Sequence, residues 1–323
     1  MKQGAISKAF LLPGLPHILL AADRNPGWKR VRKAFDQVRE QIEAINPDIL
    51  LIYTTYWPSI LGHQIQADPT PEFVHVDDEF HALGSIPYKL KVDAAFAELY
   101  RKKAEERGLN ARTISYKNFP IDTGTVVVSK LINESNKWPV SIVSSNIYAD
   151  RAETIVLGKA CADAVKESGK TAVAIVISSL SNRLHTKWID PKDDKISSLK
   201  DQEWNLKFLE FLGEGRLEDV SQLSRQFHKE ARVNKVSNFK PFWWLTGVVG
   251  QSNLFAGHVF EYQPIYGTGA AVVGLEPSER AARDLEFDES DPEKFLGERN
   301  VLGPSGEEEG PKTEEEVFGR EPT

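Results

Sequence analysis

A single cysteine, Cys161, stands in 323 residues. That excludes an intramolecular disulfide and any zinc centre built from cysteines. Its surroundings, "LGKACADAVKESGK", carry apolar residues at helical spacing, so Cys161 reads as core rather than nucleophile. No apolar run approaches the ~20 residues that a membrane-spanning helix needs, so no membrane partner is expected. No charged segment followed by an apolar stretch resembles a secretion signal, and a cytoplasmic location is expected. HExxH, GxSxG and GxGxxG are all missing, and so is any Cys/His cluster. A basic stripe interleaved with aromatics is missing too, which argues against a nucleic-acid partner. No internal repeat of 20–50 residues is found.

What is present is an ordinary globular composition, 41% hydrophobic and 27% charged. The formal charge of −7 is unevenly spread. Residues 278–323 hold 15 Asp and Glu against 6 Lys and Arg, a balance of −9, which leaves 1–277 at +2. With "DESDPEK" and "GPSGEEEGPKTEEE", the C-terminal stretch reads as an acidic, largely disordered tail. The division expected is therefore one folded domain over 1–277 and a tail over 278–323.

Strand-like runs fall at 6–13, 48–55, 140–147 and 171–179, with two more at 257–267 and 268–276. The internal runs are rich in Val, Ile and Leu and barely alternate, as strands covered on both faces do. The last two, joined at Tyr266-Gly267-Thr268-Gly269, read as a closing hairpin. Helical patterns lie between: 27–45, with Val31, Phe35, Val38, Ile42 and Ile45 on one face; 92–109; 151–170, ending at Gly169; and most of 201–250. Alternating strands and helices predict an α/β fold, a mostly parallel or mixed sheet with helices on both faces.

The strand ends collect polar groups. Gly14 and His17 follow the first run, and Tyr56, Trp57 and His63 the second. Asp122, Thr123 and Gly124 precede an apolar helical stretch. Asn146 follows the third run, and Ser181, Asn182 and His185 the fourth. Ligands of open α/β sheets bind at this edge, so these groups are candidates for lining one cleft. Each has a structural reading beside the functional one: Asp122 as a helix N-cap, His17 as a hydrogen-bonded structural histidine, His63 as a turn residue. His75, Asp77, Asp78 and His81 flank an acidic hairpin loop, a conceivable metal site that reads better as a solvated loop. No assembled catalytic set emerges from the residues alone.

The stretches "AFLLPGLPHILL", "AINPDILLIYTTYW", "GHQ", "IDTGT", "VLGKACADAVKESGKTAVAIVISSLS" and "YGTGAAVVG", in this order, resemble the class III extradiol ring-cleavage dioxygenases, the protocatechuate 4,5-dioxygenase-like superfamily. The likeness spans about residues 5–276 and is greatest to two-subunit members that open 2-aminophenol-like rings. Catalytic members hold Fe(II) with two histidines and a glutamate. The resemblance puts those positions at Gly14, Tyr56 and Asn234, and the acid/base histidine at Asn182, with His185 three residues on. The vestigial cleft would be lined by His17, His63, Asp122, Thr123, Asn146 and His185. What the resemblance implies is therefore a non-catalytic, α-type subunit that binds no metal and stabilises a homologous, Fe(II)-bearing β subunit, expected as α2β2. Its interface would draw on Tyr53, Tyr56, Trp57, Trp243 and Trp244. The alternative is a metal-free enzyme, or an aromatic-ligand-binding protein, reusing the cleft with His17, His185, Asp122 and Tyr56 as acid/base groups.

Overall fold

Residues Ala5–Leu12 form β1, and from Ala9 onward every side chain is buried. Alternation along the strand sends Ala9 and Leu11 into one apolar cluster and Phe10 and Leu12 into another, on opposite faces of a sheet. A strand buried on both faces needs helices on both, and the rest of the chain supplies them. The computed structural model describes residues 3–182, 188–231, 240–250 and 255–278.

After β1 come α1 (His17–Leu20), α2 (Pro26–Ile45), β2 (Ile49–Ser59), β3 (His63–Gln66), β4 (Glu72–Val76) and β5 (Ser85–Lys89). Next are α3 (Ala94–Glu106), β6 (Ala111–Ile114), α4 (Thr123–Ile132), β7 (Val140–Asn146), α5 (Arg151–Ser168) and β8 (Thr171–Ile177). The chain continues through α6 (Leu199–Gly213), α7 (Leu217–Ala231), α8 (Lys240–Val249), β9 (Phe255–Ile265) and β10 (Thr268–Pro277). Eight strands make one sheet in the order β6-β3-β7-β2-β8-β1-β10-β9, and β4-β5 form a separate hairpin. β7, β2, β8 and β1 run parallel, whereas β3 is antiparallel to β7 and β10 to β1, so the sheet is mixed. α2 and α4 pack on one face with the β4-β5 hairpin; α3, α5, α6, α7 and α8 pack on the other.

The helices start where their capping residues stand. Asn25 accepts from the N–H of Gly27 and Trp28 ahead of Pro26, and Asp93, Asp122, Asp150 and Ser198 cap α3, α4, α5 and α6. α5 ends at Gly169 with φ +69°, the left-handed cap expected there. The β9-β10 turn takes positive φ at both Tyr266 (50°) and Gly267 (73°), the twist that suits a two-residue hairpin.

All six expected strands form, with ends shifted by up to four residues. Four strands were not anticipated: β3, β4, β5 and β6, of four or five residues each. Cys161 is fully buried, and burial pushes its thiol above the ordinary range. The expected aromatic interface stock needs correction. Tyr53 and Trp244 are 1% exposed and Trp243 5%, so these three belong to the chain's own core. Their polar atoms are satisfied inside it: Trp244 Nε1 donates to Tyr100 Oη at 2.9 Å, and Trp243 Nε1 to Ser224 Oγ at 2.6 Å. Among the described residues, no helix is long and apolar enough to cross a membrane.

Candidate functional site

Gly14, just past β1, lies against the first turn of α4. A Cβ built on Gly14 stands 2.5 Å from Gly124 Cα, 2.8 Å from Tyr56 Cε2 and 2.8 Å from Ile177 Cγ2. A Cβ on Gly124 stands 2.5 Å from Tyr56 Cδ2 and 2.9 Å from Ile177 Cγ2. Tyr56 reaches this place because β2 bulges: between Tyr53 and Pro58, five steps along β2 match two along β7. Burial, with the carboxylates of Asp77, Asp122 and Glu79 nearby, holds the Tyr56 phenol above its ordinary value and keeps it neutral.

Beside this ring, Asp122 closes a compact network. Its Oδ1 accepts from Thr54 Oγ1 and Thr125 N, both at 2.9 Å, and its Oδ2 accepts from Thr125 Oγ1 at 2.7 Å. Burial raises the Asp122 carboxyl above the usual range even though these bonds oppose the shift. Thr123 Oγ1 donates to Asp77 Oδ2 at 2.7 Å; having spent its one proton, it accepts from His75 Nε2 at 2.5 Å. Asp77 Oδ1 in turn caps the N–H groups of Glu79 and Phe80. His75 and Asp77 thus serve a hairpin tie. Among the described residues, no group of three or more His, Cys, Asp or Glu is arranged to hold a metal.

His17 is 3% exposed and boxed by rings: Phe80 edge-on at 4.4 Å, Trp28 edge-on at 5.0 Å and Tyr266 stacked at 5.3 Å. Burial lowers its pKa to about 4, against the pull of Asp77, so the ring is neutral at physiological pH. Among the described residues its Nδ1 finds no hydrogen-bond partner, and the ring is held by packing where a hydrogen-bonded histidine was expected. Asp194 fastens the box from outside, accepting from Trp28 Nε1, Tyr266 N and Gly267 N, each at 2.7 Å.

The remaining candidates do not join this group. His63 and Asn146 lie by α5 and α8, on the opposite face of the sheet. His63 Nε2 bonds Glu153 Oε1 at 2.9 Å, and that bond chiefly depresses the Glu153 carboxyl. The carbonyls of Asn146 and Ile147 accept from the buried Lys240 Nζ at 2.5 and 2.8 Å, and burial lowers this lysine's pKa to about 8. Asn182 Oδ1 accepts from Thr268 Oγ1 at 3.3 Å at the end of β8. Among the described residues, no hydrogen bond links His63 or Asn146 to the network around Asp122. His185 and Asn234 lie outside the described residues, as does the tail from 279 on.

Trp28, Phe80, Asp194, Tyr266 and Lys240 escaped the sequence reading as site residues, because their neighbours are far away in the chain. One signal was available for the slot: a glycine in the first turn of a helix, Gly124, marks a close approach.

Fe(II), which the resemblance implies for catalytic members, does not fit this pair of positions. Gly14 offers no side-chain donor. At position 56 the ring is packed against two glycines, and a lone phenol is a poor ligand set for Fe(II).

A mixed sheet with loops gathered at the ends of β1, β2, β7 and β8 defines an α/β protein whose site region sits at the strand-end edge. The family described as the catalytic LigB subunit of aromatic ring-opening dioxygenase matches residues 8–274, and the chain belongs to that family. It is 32% identical over 269 residues to the 2-aminophenol 1,6-dioxygenase alpha subunit of a Pseudomonas species, covering 83% of this chain and 98% of that one. To the beta subunit of the same-named Pseudomonas enzyme it is 29% identical over 293 residues, 84% and 94% of the two chains. The solved structure of an uncharacterized Escherichia coli K12 protein has a similar fold, with a TM-score of 0.56 and 14% identity, over 83% of this chain and 99% of that one.

Proposed function

We propose that this chain is the non-catalytic, α-type subunit of a hetero-oligomeric extradiol dioxygenase that opens 2-aminophenol-like rings. The observation that carries the reading is the packing of Tyr56 against Gly14 and Gly124, which leaves the first two ligand positions without a usable donor. The likeness to both subunits of 2-aminophenol 1,6-dioxygenase supports a partner of the same fold. In this reading the partner holds Fe(II), the assembly is α2β2 in the cytoplasm, and the aromatic substrate is met through the complex. The chain's part is to bury a shared surface and so stabilise the iron-bearing subunit. The positions at Gly14, Tyr56, Asn234 and Asn182 are then vestigial.

The alternative, a metal-free enzyme or ligand-binding protein, asks His17, Asp122 and Tyr56 to act on a ligand. His17 is enclosed by three rings, Asp122 is engaged by three donors, and Tyr56 is wedged against two glycines. Co-expression with an iron-bearing sister subunit tests the main reading. The two chains should co-purify at fixed stoichiometry, and O2 consumption with 2-aminophenol should need both. Steady ring opening by this chain alone after Fe(II) loading overturns it.

A further inference from the structure

We propose that two copies of this chain pair through the free edge of β4, antiparallel about Val74, so that their two hairpins join into one four-stranded sheet. The inference concerns a second copy of this chain and goes beyond the subunit reading.

A free strand edge is a row of unpaired N–H and C=O groups, and folded chains defend such edges. Among the described residues four strands have one: β6 and β9 bound the main sheet, and β4 and β5 bound the hairpin. Three of the four are defended. β6 is four residues long and carries the exposed Arg112. β9 has Pro264, a bulge at Phe260, and the Glu261 carboxylate, which accepts from Tyr262 N at 3.1 Å. β5 has Pro87 at its centre, and Asn136 Nδ2 donates to Lys89 O at 2.7 Å. β4, "EFVHV", has no proline and no bulge in its ladder to β5. Its one carboxylate, Glu72, is paired with Lys89 of β5 at 2.7 Å. Yet Phe73, Val74 and Val76 are 59%, 51% and 47% exposed. The strand is also held in place. His75 Nε2 bonds Thr123 Oγ1, and the buried Tyr88 of β5 accepts from Ile121 N at 3.1 Å.

The residues of the edge say what covers it. A twofold axis through Val74 pairs all five: Val74 with Val74, Phe73 with His75, and Glu72 with Val76 of the other copy. Each Glu72 then falls opposite a valine and keeps its own Lys89, so no charge meets a like charge. Val74 and Val76 of both copies share one apolar face. Five residues a side fall short of the roughly 20–30 in a standard interface, so the dimer is reversible.

The test is sedimentation velocity of the full wild-type chain, from micromolar to millimolar concentration. The mass should climb towards twice that of one chain. Val76→Asp sets a carboxylate opposite the other copy's Glu72 on both sides of the axis, and should weaken dimerisation about tenfold. Val76→Lys, equally polar, sets an ammonium there and should dimerise at least as well as the wild type. Under oxidation, Val74→Cys should cross-link to its copy faster than Leu206→Cys, a 51% exposed position on α6; the native Cys161 is buried. A wild type that stays monomeric, equal association of the two Val76 variants, or equal cross-linking of the two cysteine variants overturns the proposal. A chain monomeric alone, whose Val76→Asp variant no longer co-purifies with an iron-bearing sister, would give the edge to the sister and overturn the second-copy reading.

Discussion

His17 stacks on Tyr266 with ring centroids 5.3 Å apart and planes 26° from parallel. The contact joins the first helix to the last hairpin, and it is built for a neutral imidazole. Unfolded, His17 titrates near 6.5; folded, burial lowers its pKa to about 4. Between these values the unfolded chain binds a proton that the folded chain refuses. Stability therefore falls as pH drops from 6.5 towards 4, by up to about 1.4 kcal/mol per pH unit from this one group. His17→Phe keeps a ring in the box and should flatten that part of the acid slope. Urea unfolding across this range checks it, and an unchanged slope in the variant counts against the assignment.

Asp122 does two jobs that substitution can separate. Asp122→Asn keeps an oxygen for Thr54 and Thr125 N, and it removes a carboxylate whose ionised form folding disfavours. Because the folded carboxyl is raised, its charge costs stability above that range, and the cost disappears as pH falls through it. Asp122→Asn should thus be close to neutral in stability at pH 7. Asp122→Ala should cost about 1–3 kcal/mol through the lost cap and stranded hydroxyls. Equal stabilities for the two variants would refute the division.

Restoring a histidine at the first ligand position should not restore a metal. In Gly14→His the new Cβ meets Gly124 Cα at 2.5 Å and Tyr56 Cε2 at 2.8 Å, and such overpacking costs about 1–3 kcal/mol or more. Differential scanning calorimetry should show a lower melting temperature. Elemental analysis after anaerobic Fe(II) loading should find no stoichiometric iron in this variant or in the wild type. One tightly bound iron per chain in either would contradict the reading of the site.

Removing residues 278–323 should leave the melting temperature within a few degrees. β10 ends at Pro277, and the stretch beyond is acidic and poor in apolar residues. Thermal unfolding of the truncated chain decides this, and loss of soluble expression would assign the tail a place on the body, through Phe295 and Leu296.

Most of the architecture could be read from the chain because burial writes itself into long apolar runs. β1, β2, β7 and β8 are such runs, and Tyr266-Gly267 announces its own turn. β3 and β6 could not be read that way: "HQIQ" and "ARTI" are four residues long, and they become strands because neighbours offer them a ladder. The site divides similarly. Asp122 is legible as a cap because its partner Thr125 is three residues away. The ring against Gly14 and Gly124 is not legible, since it brings together residues 14, 56, 124 and 177. Trp243 and Trp244 were misplaced for the same reason. Tandem tryptophans suit an interface, but α8 is inserted between α5 and the sheet, where both faces of the pair are covered.

In the finished sheet Ala9 pairs with Ala174 on one side and Leu275 on the other. On a ribosome adding ~5–20 residues per second, β1 emerges roughly a quarter of a minute to nearly a minute before β10 exists to pair with it. Once β8 is made it can pair with one side of β1, but the other edge, at Ala9, Phe10 and Leu11, stays open until β10 arrives. In the interval the second edge of β1 is an open strand edge, and the closing hairpin is what removes it.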